Sequence, residues 1–309
     1  MREPDYLYFG GNGIPPPPYK FTGATLWSLL LFGDHACITS FLDRTLNAAT
    51  IAGRFVPALG NVIWLLQIKA KALTSTVAPY DGFGTMAETD IGLWLTVRDT
   101  VTNQLYLYPA YLFVDNWLAL AAGREVYGFP KTFADIDAQT AMLAVTTLAV
   151  KNYAPDAVWV PSMLFQLSPL PDQAAPILTG GGLSLTRGAA SLMNQQANDP
   201  ALSEKLRTAL RQAASLLPGL GGFALLRQFR DPASSVSASE RCLFSVMPKI
   251  GVPSAIGSFT QRSCRFTLNE YASQPVAADL GLVIGAQECW PILWTDLDFT
   301  LPLGAAISD

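Results

Sequence analysis

Histidine is almost absent. His35 is the only one in the chain, so Ser-His-Asp and Cys-His catalysis and histidine-rich metal sites lack their central residue unless His35 serves. Cysteine is scarce and scattered: Cys37, Cys242, Cys264 and Cys289 form no C-x-x-C pair. Neither a zinc site nor a disulfide scaffold is indicated, and buried free thiols are expected. Charge is also thin, at 14% of residues against about 25% in an ordinary soluble domain. The net charge is −4 without a basic cluster, which argues against nucleic acid as a partner, since phosphate binding needs concentrated Lys and Arg. No apolar run approaches the ~20 residues of a membrane span. The longest, Ala24–Phe32 and Ala141–Val150, reach about half that length and contain Ser or Thr. The N-terminal MREPDYLYFGGNG has no apolar signal core, so a cytoplasmic protein is expected.

What is abundant is apolar surface. Half of the chain is hydrophobic, which predicts extensive burial in a large core or between subunits, and a homo-oligomer is expected. Residues 1–23 are rich in turns, with four prolines at Pro15–Pro18, and read as an extended arm. Residues 24–309 read as one domain. ATLWSLLLF at 24–32 reads as a buried strand, and Asp34 caps a helix over 35–47. From 55 to 118 strand signals dominate: Val62–Leu73, then Met86–Val97 paired with Leu105–Val114. Gln67, Lys69 and Lys71 alternate with apolar residues and share one strand face. Residues 183–217 change character to two amphipathic helices, a helical insertion, with Pro200 in the first turn of the second. Strands resume to the end, with loops at Asp231–Ser239 and Gln274–Asp279. No Gly-rich phosphate loop with a following lysine occurs. The reading is mainly β (α+β): a large antiparallel sheet closed into a barrel or cone, with peripheral helices.

One stretch concentrates chemistry. LALAAGREVYGFPKTF, Leu118–Phe133, sets Arg124, Glu125 and Lys131 among apolar and aromatic residues. An amine attacks a carbonyl only when deprotonated, and a free lysine has a pKa near ~10.4. Burial among Tyr127, Phe129, Pro130 and Phe133 is expected to disfavour the ammonium. The amine can then form an imine, an electron sink next to which a C–C bond breaks.

GREVYGFPK at Gly123–Lys131 resembles the signature of the acetoacetate decarboxylase family, in which a GRE turn precedes an aromatic stretch, a proline and the imine-forming lysine. Pro18-Tyr19-Lys20-Phe21, Gly82-Phe83-Gly84-Thr85-Met86-Ala87-Glu88 and the C-terminal PILWTDLDFTLPLG also resemble segments of that family. The resemblance implies Lys131 as the Schiff-base residue and Glu88 as an acid/base or substrate-orienting group. Arg124, Glu125, Tyr127, Phe129 and Thr132 would shape the site or bind substrate. It implies a cofactor-independent lyase acting on a small keto acid, by decarboxylation of a β-keto acid. Aldolase–dehydratase chemistry through the same imine is an alternative, and a non-catalytic barrel binding an apolar ligand is another. Two departures stand out. Thr132 occupies the place of a second lysine, leaving desolvation alone to activate Lys131. Ala24 falls where the decarboxylases carry an arginine for the substrate carboxylate, a role left open to Lys69, Lys71 or another arginine.

Overall fold

A computed structural model describes Tyr6 and residues 14–139, 142–176, 178–179, 184–234 and 236–307. Most of residues 1–13, the start of the expected arm, therefore lie outside the described residues. Nine strands close into a barrel: β1 (Tyr19–Phe32), β2 (Val62–Ser75), β3 (Met86–Asp99), β4 (Leu105–Val114), β5 (Lys131–Gln139), β6 (Met142–Ala149), β7 (Val160–Ser168), β8 (Cys264–Leu268) and β9 (Gly285–Leu301). Each pairs with the next in sequence, and β9 returns to β1. All barrel junctions are antiparallel except β4–β5, which is parallel. The expected closed sheet is thus present, with one parallel junction in place of an all-antiparallel ladder.

That junction matters for the site. Parallel neighbours need a crossover rather than a hairpin. Residues 115–130 supply it as helix α2 (Trp117–Ala122) followed by a π-helical turn, Gly123–Tyr127. The Asn116 side chain caps α2, accepting from Leu118 N at 2.9 Å, and donates to the Ala87 carbonyl of β3 at 3.0 Å.

Alternation along the strands produces two apolar layers. One fills the barrel and draws on all nine strands, including Leu31, Ile63, Leu93, Phe113, Phe165 and Phe266. The other lies on the outer face of β9, β1, β2, β3 and β4. It is covered by the long excursion between β7 and β8, which carries helices α3 (Leu185–Ala197) and α4 (Glu204–Leu216) and the paired strands Leu220–Arg230 and Ala238–Val246. Ser203, not Pro200, starts α4: its hydroxyl accepts from Leu206 N, and Pro200 sits in the turn before it. The expected loop at Gln274–Asp279 holds a short helix, Val276–Leu280. Asp34 caps helix α1 (His35–Arg44) as expected. His35 is exposed there, and all four cysteines are free, with Cys264 and Cys289 buried.

Among the described residues, no helix is long and apolar enough to cross a membrane, and no group of three or more His, Cys, Asp or Glu is placed to hold a metal ion.

Candidate active site

Lys131 opens β5 directly after the crossover. Its Cα partner is Leu112 of β4, a member of the outer layer, so its side chain leaves the barrel on the outer face. The crossover is shaped to receive it. A Cβ on Gly123 would stand 2.7 Å from Lys131 Cδ and 2.9 Å from Cε; only glycine leaves that path open. Gly128 closes the turn with φ +79°, and a Cβ there would meet the Arg227 backbone at 2.5 Å. Arg124 is itself exposed, and its guanidinium donates to the Lys131 carbonyl at 2.9 Å. Gly123 and Arg124 of the GRE triplet therefore act on the lysine, one by leaving room for its side chain and the other by holding its carbonyl.

The amine is buried, with 6% of the residue exposed. It donates to Glu88 Oε1 in a short hydrogen bond and lies 3.1 Å from Asp90 Oδ2. Both carboxylates come from β3, two residues apart, and so share its outer face. Glu88 is 3% exposed. Phe129 closes one side, its ring centroid 5.9 Å from Nζ. Tyr127 is buried behind it, donating its hydroxyl to the Leu301 carbonyl at 3.1 Å. Glu125 turns outward and accepts from the Tyr6 hydroxyl at 2.8 Å.

The electrostatics differ from the expectation. Burial alone would push the Lys131 amine down, but the negative charges of Asp90 and Glu88 and their hydrogen bonds outweigh it and hold its pKa above the ordinary lysine range. Asp90 is held well above the usual carboxylate range, first by desolvation and then by the like charge of Glu88. The surroundings of this trio thus favour the ammonium form of Lys131 and the protonated form of Asp90.

Several expected residues separate from this centre. Thr132 faces the barrel side of β5, paired with Phe113, so strand geometry turns position 132 away from the Lys131 amine. Phe133 is 53% exposed and shields nothing. Lys69 and Lys71 are exposed, and Lys69 pairs with Thr25 and Thr89 on the face opposite Glu88. Ala24 is buried in line with the site: it pairs with Ala70, which pairs with Glu88. Asp90 escaped the sequence reading, although E-x-D inside a predicted strand places both carboxylates on one face.

Beside the trio the outer layer encloses an apolar cavity of about 220 Å³. Its wall includes Ala24, Leu66, Ile68, Trp94, Phe223 and Met193. Ile68 is the Cα partner of Asp90 and Leu66 that of Gly92, so the cavity starts one strand from the carboxylates.

The family model described as acetoacetate decarboxylase (ADC) matches residues 38–153, the segment that contains Glu88, Asp90 and Lys131. No curated protein matches the chain by sequence. Among solved structures, an acetoacetate decarboxylase from Legionella pneumophila is 14% identical with a TM-score of 0.59, over 100% of this chain and 93% of its own. The enduracididine biosynthesis enzyme MppR, solved with the condensation product of pyruvate and imidazole 4-carboxaldehyde, is 12% identical with a TM-score of 0.56, over 97% and 92%. An acetoacetate decarboxylase-like enzyme from Sphingomonas wittichii RW1 is 12% identical with a TM-score of 0.55, covering 98% of each chain. At these identities the likeness of the structures is one of fold.

Proposed function

Taking the chain as a divergent member of the acetoacetate decarboxylase family, we propose that it is an enzyme in which Lys131 forms an imine with a carbonyl substrate and uses it to make or break a C–C bond. The observation that carries this reading is a buried amine clamped by a buried carboxyl group, Glu88, and a largely buried one, Asp90, next to an apolar cavity. Three buried ionisable groups are costly in a protein interior, and functional sites are where such groups collect.

The steps follow from the contacts. Lys131 passes a proton along its hydrogen bond to Glu88, giving a neutral amine without exchange with bulk water. The amine adds to the carbonyl carbon, and the carbinolamine loses water as a carboxyl group returns a proton, leaving a protonated imine. From there two fates share the site. A β-keto acid loses CO2 as the C–C electron pair moves into the iminium; the resulting enamine takes one proton on carbon, and water releases the ketone. A β-hydroxy ketone loses its hydroxyl proton to a carboxylate while its C–C bond electrons form the enamine and an aldehyde departs; the reverse is aldol addition. The second fate moves protons at both oxygen and carbon. Two carboxyl groups on the one amine, Glu88 and Asp90, suit it, so we favour aldol-type chemistry over decarboxylation.

Borohydride reduction in the presence of a panel of ketones and keto acids, read by intact mass, tests the proposal. One adduct per chain, absent from Lys131→Ala, is expected. No adduct with any member of the panel would refute it and would favour a barrel that only binds an apolar ligand, for which the cavity would be the supporting observation.

A further inference from the structure

The cavity beside Lys131 is larger than catalysis on a two- to four-carbon keto acid needs. An apolar cavity of about 150 Å³ already admits benzene, and this one measures about 220 Å³. None of its lining residues is charged. Between it and the carboxylates stands Gly92, where a Cβ would lie 2.7 Å from Leu112 Cδ1 and 2.9 Å from Trp94 Nε1. Leu112, Tyr111 and Trp94 already fill the space over Gly92, so the way from the carboxylates to the cavity runs over Ile68, the Cα partner of Asp90 and part of the cavity wall. Along the outer face of β3, among the described residues, Trp94 Nε1 is a buried donor without a hydrogen-bond partner, and Glu88 Oε2 and Asp90 Oδ1 are buried acceptors without a donor unless one carboxyl is protonated. Leaving such an atom unsatisfied is costly, because it gives up its water without a replacement partner. A protonated Asp90 can donate to Glu88, which leaves Trp94 Nε1 at the cavity wall as the buried donor that a ligand acceptor would complete.

Charge decides what the ligand is not. The site already holds two carboxyl groups against one amine. Ala24 contributes no charge, Lys69 and Lys71 are exposed, and Arg124 is bound to a backbone carbonyl. A substrate carboxylate would add a third acid to a site with one cation, and an uncompensated buried charge is strongly unfavourable.

We propose that the substrate is an uncharged carbonyl compound with a hydrocarbon tail, its carbonyl at Lys131 and its tail passing across the Asp90–Ile68 pair into the cavity. This rests on Lys131 as the imine-forming residue. The test is borohydride trapping with 2-nonanone, acetone, pyruvate and acetoacetate, each titrated to half-maximal labelling of Lys131. The expected result is half-labelling by 2-nonanone at a concentration at least ~100-fold below the other three, since each buried CH2 contributes about fourfold. Ala213→Phe, which fills the cavity from α4, should abolish that preference and leave labelling by acetone unchanged. Should Ala213→Phe fail to fold, Ala189→Phe fills the cavity from α3, and the wild-type ranking stands as a test alone. Equal labelling by acetone and 2-nonanone would overturn the tail site while leaving the imine reading intact. Stronger labelling by pyruvate or acetoacetate would overturn the uncharged substrate. A tryptophan fluorescence response to 2-nonanone with no adduct from any compound would overturn the imine reading and, with it, the assignment of a substrate.

Discussion

Lys131→Met should destabilise the fold, and by an amount that depends on pH. Nζ lies 3.1 Å from Asp90 Oδ2 and closer still to Glu88 Oε1. At an effective dielectric of ~20 a contact of that length is worth about 5 kcal/mol before desolvation is subtracted. Removing the amine leaves Glu88 and Asp90 facing each other in an apolar shell, and breaking a buried ion pair typically costs about 3–5 kcal/mol. At about 2–4 °C per kcal/mol for chains of this order, Tm should fall by roughly 6–20 °C at pH 7. Asp90 already has a folded pKa raised above its unfolded one, and the variant loses the Lys131 charge that opposes that rise. Stability is therefore retained below the unfolded carboxylate range near ~4 and lost as pH rises through the folded value. Thermal unfolding at pH 4.5, 6 and 7.5 should show the deficit growing with pH, and adding Glu88→Gln should recover most of it at pH 7.5. A variant as stable as wild type at pH 7.5, or a deficit independent of pH, would refute the charge balance on which the site is read.

Gly123→Ala should lower borohydride labelling of Lys131 at least tenfold with the fold retained, because the new Cβ occupies the path of Cδ and Cε; unchanged labelling would show that the lysine can be rerouted. Asp90→Asn should flatten the loss of wild-type stability between pH 5 and 8, measured by urea unfolding, since the raised folded pKa of Asp90 makes stability fall as pH rises there. Thr132→Lys should leave the pH dependence of Lys131 labelling unchanged, because position 132 faces the barrel side; a shifted profile would contradict the strand geometry. Arg54→Met should cost about 3–5 kcal/mol, since Arg54 and Asp99 form a buried two-point pair at 3.1 and 3.0 Å; chemical denaturation would show it.

Strand-rich architecture, closure and the helical pair at 183–217 are legible because period-two alternation and helical stripes are local signals. The parallel β4–β5 junction is not, since nothing in LFVDNWLALAAGREVYGFPK states which way the next strand will run. The same limit explains the site. Lys131 and Glu88 could be named from motifs, and Asp90 was readable from the E-x-D alternation of β3. The contact between them is set by the crossover and by β3 lying beside β4, a relation across more than forty residues. Thr132 was overread for a related reason: adjacency in sequence is opposition in a strand. Lys131 was expected to be activated by desolvation alone, yet the two carboxylates that β3 brings in reverse the sign of its shift.

That reversal changes what activation must mean here. An amine with a raised pKa is not made nucleophilic by losing its proton to water at neutral pH. A trio of ammonium, carboxylate and protonated acid has the same proton count as neutral amine with two protonated acids. The two arrangements differ only by transfer along the Lys131–Glu88 hydrogen bond. In a dry cavity the arrangement without separated charge gains relative to its standing in water, because desolvation penalises ions and not neutral groups. A hydrocarbon-tailed substrate filling the space beside Ile68 and Trp94 would remove water from the one side of Asp90 that is still 15% exposed. Substrate binding and amine activation are then the same event, and a charged substrate would work against both.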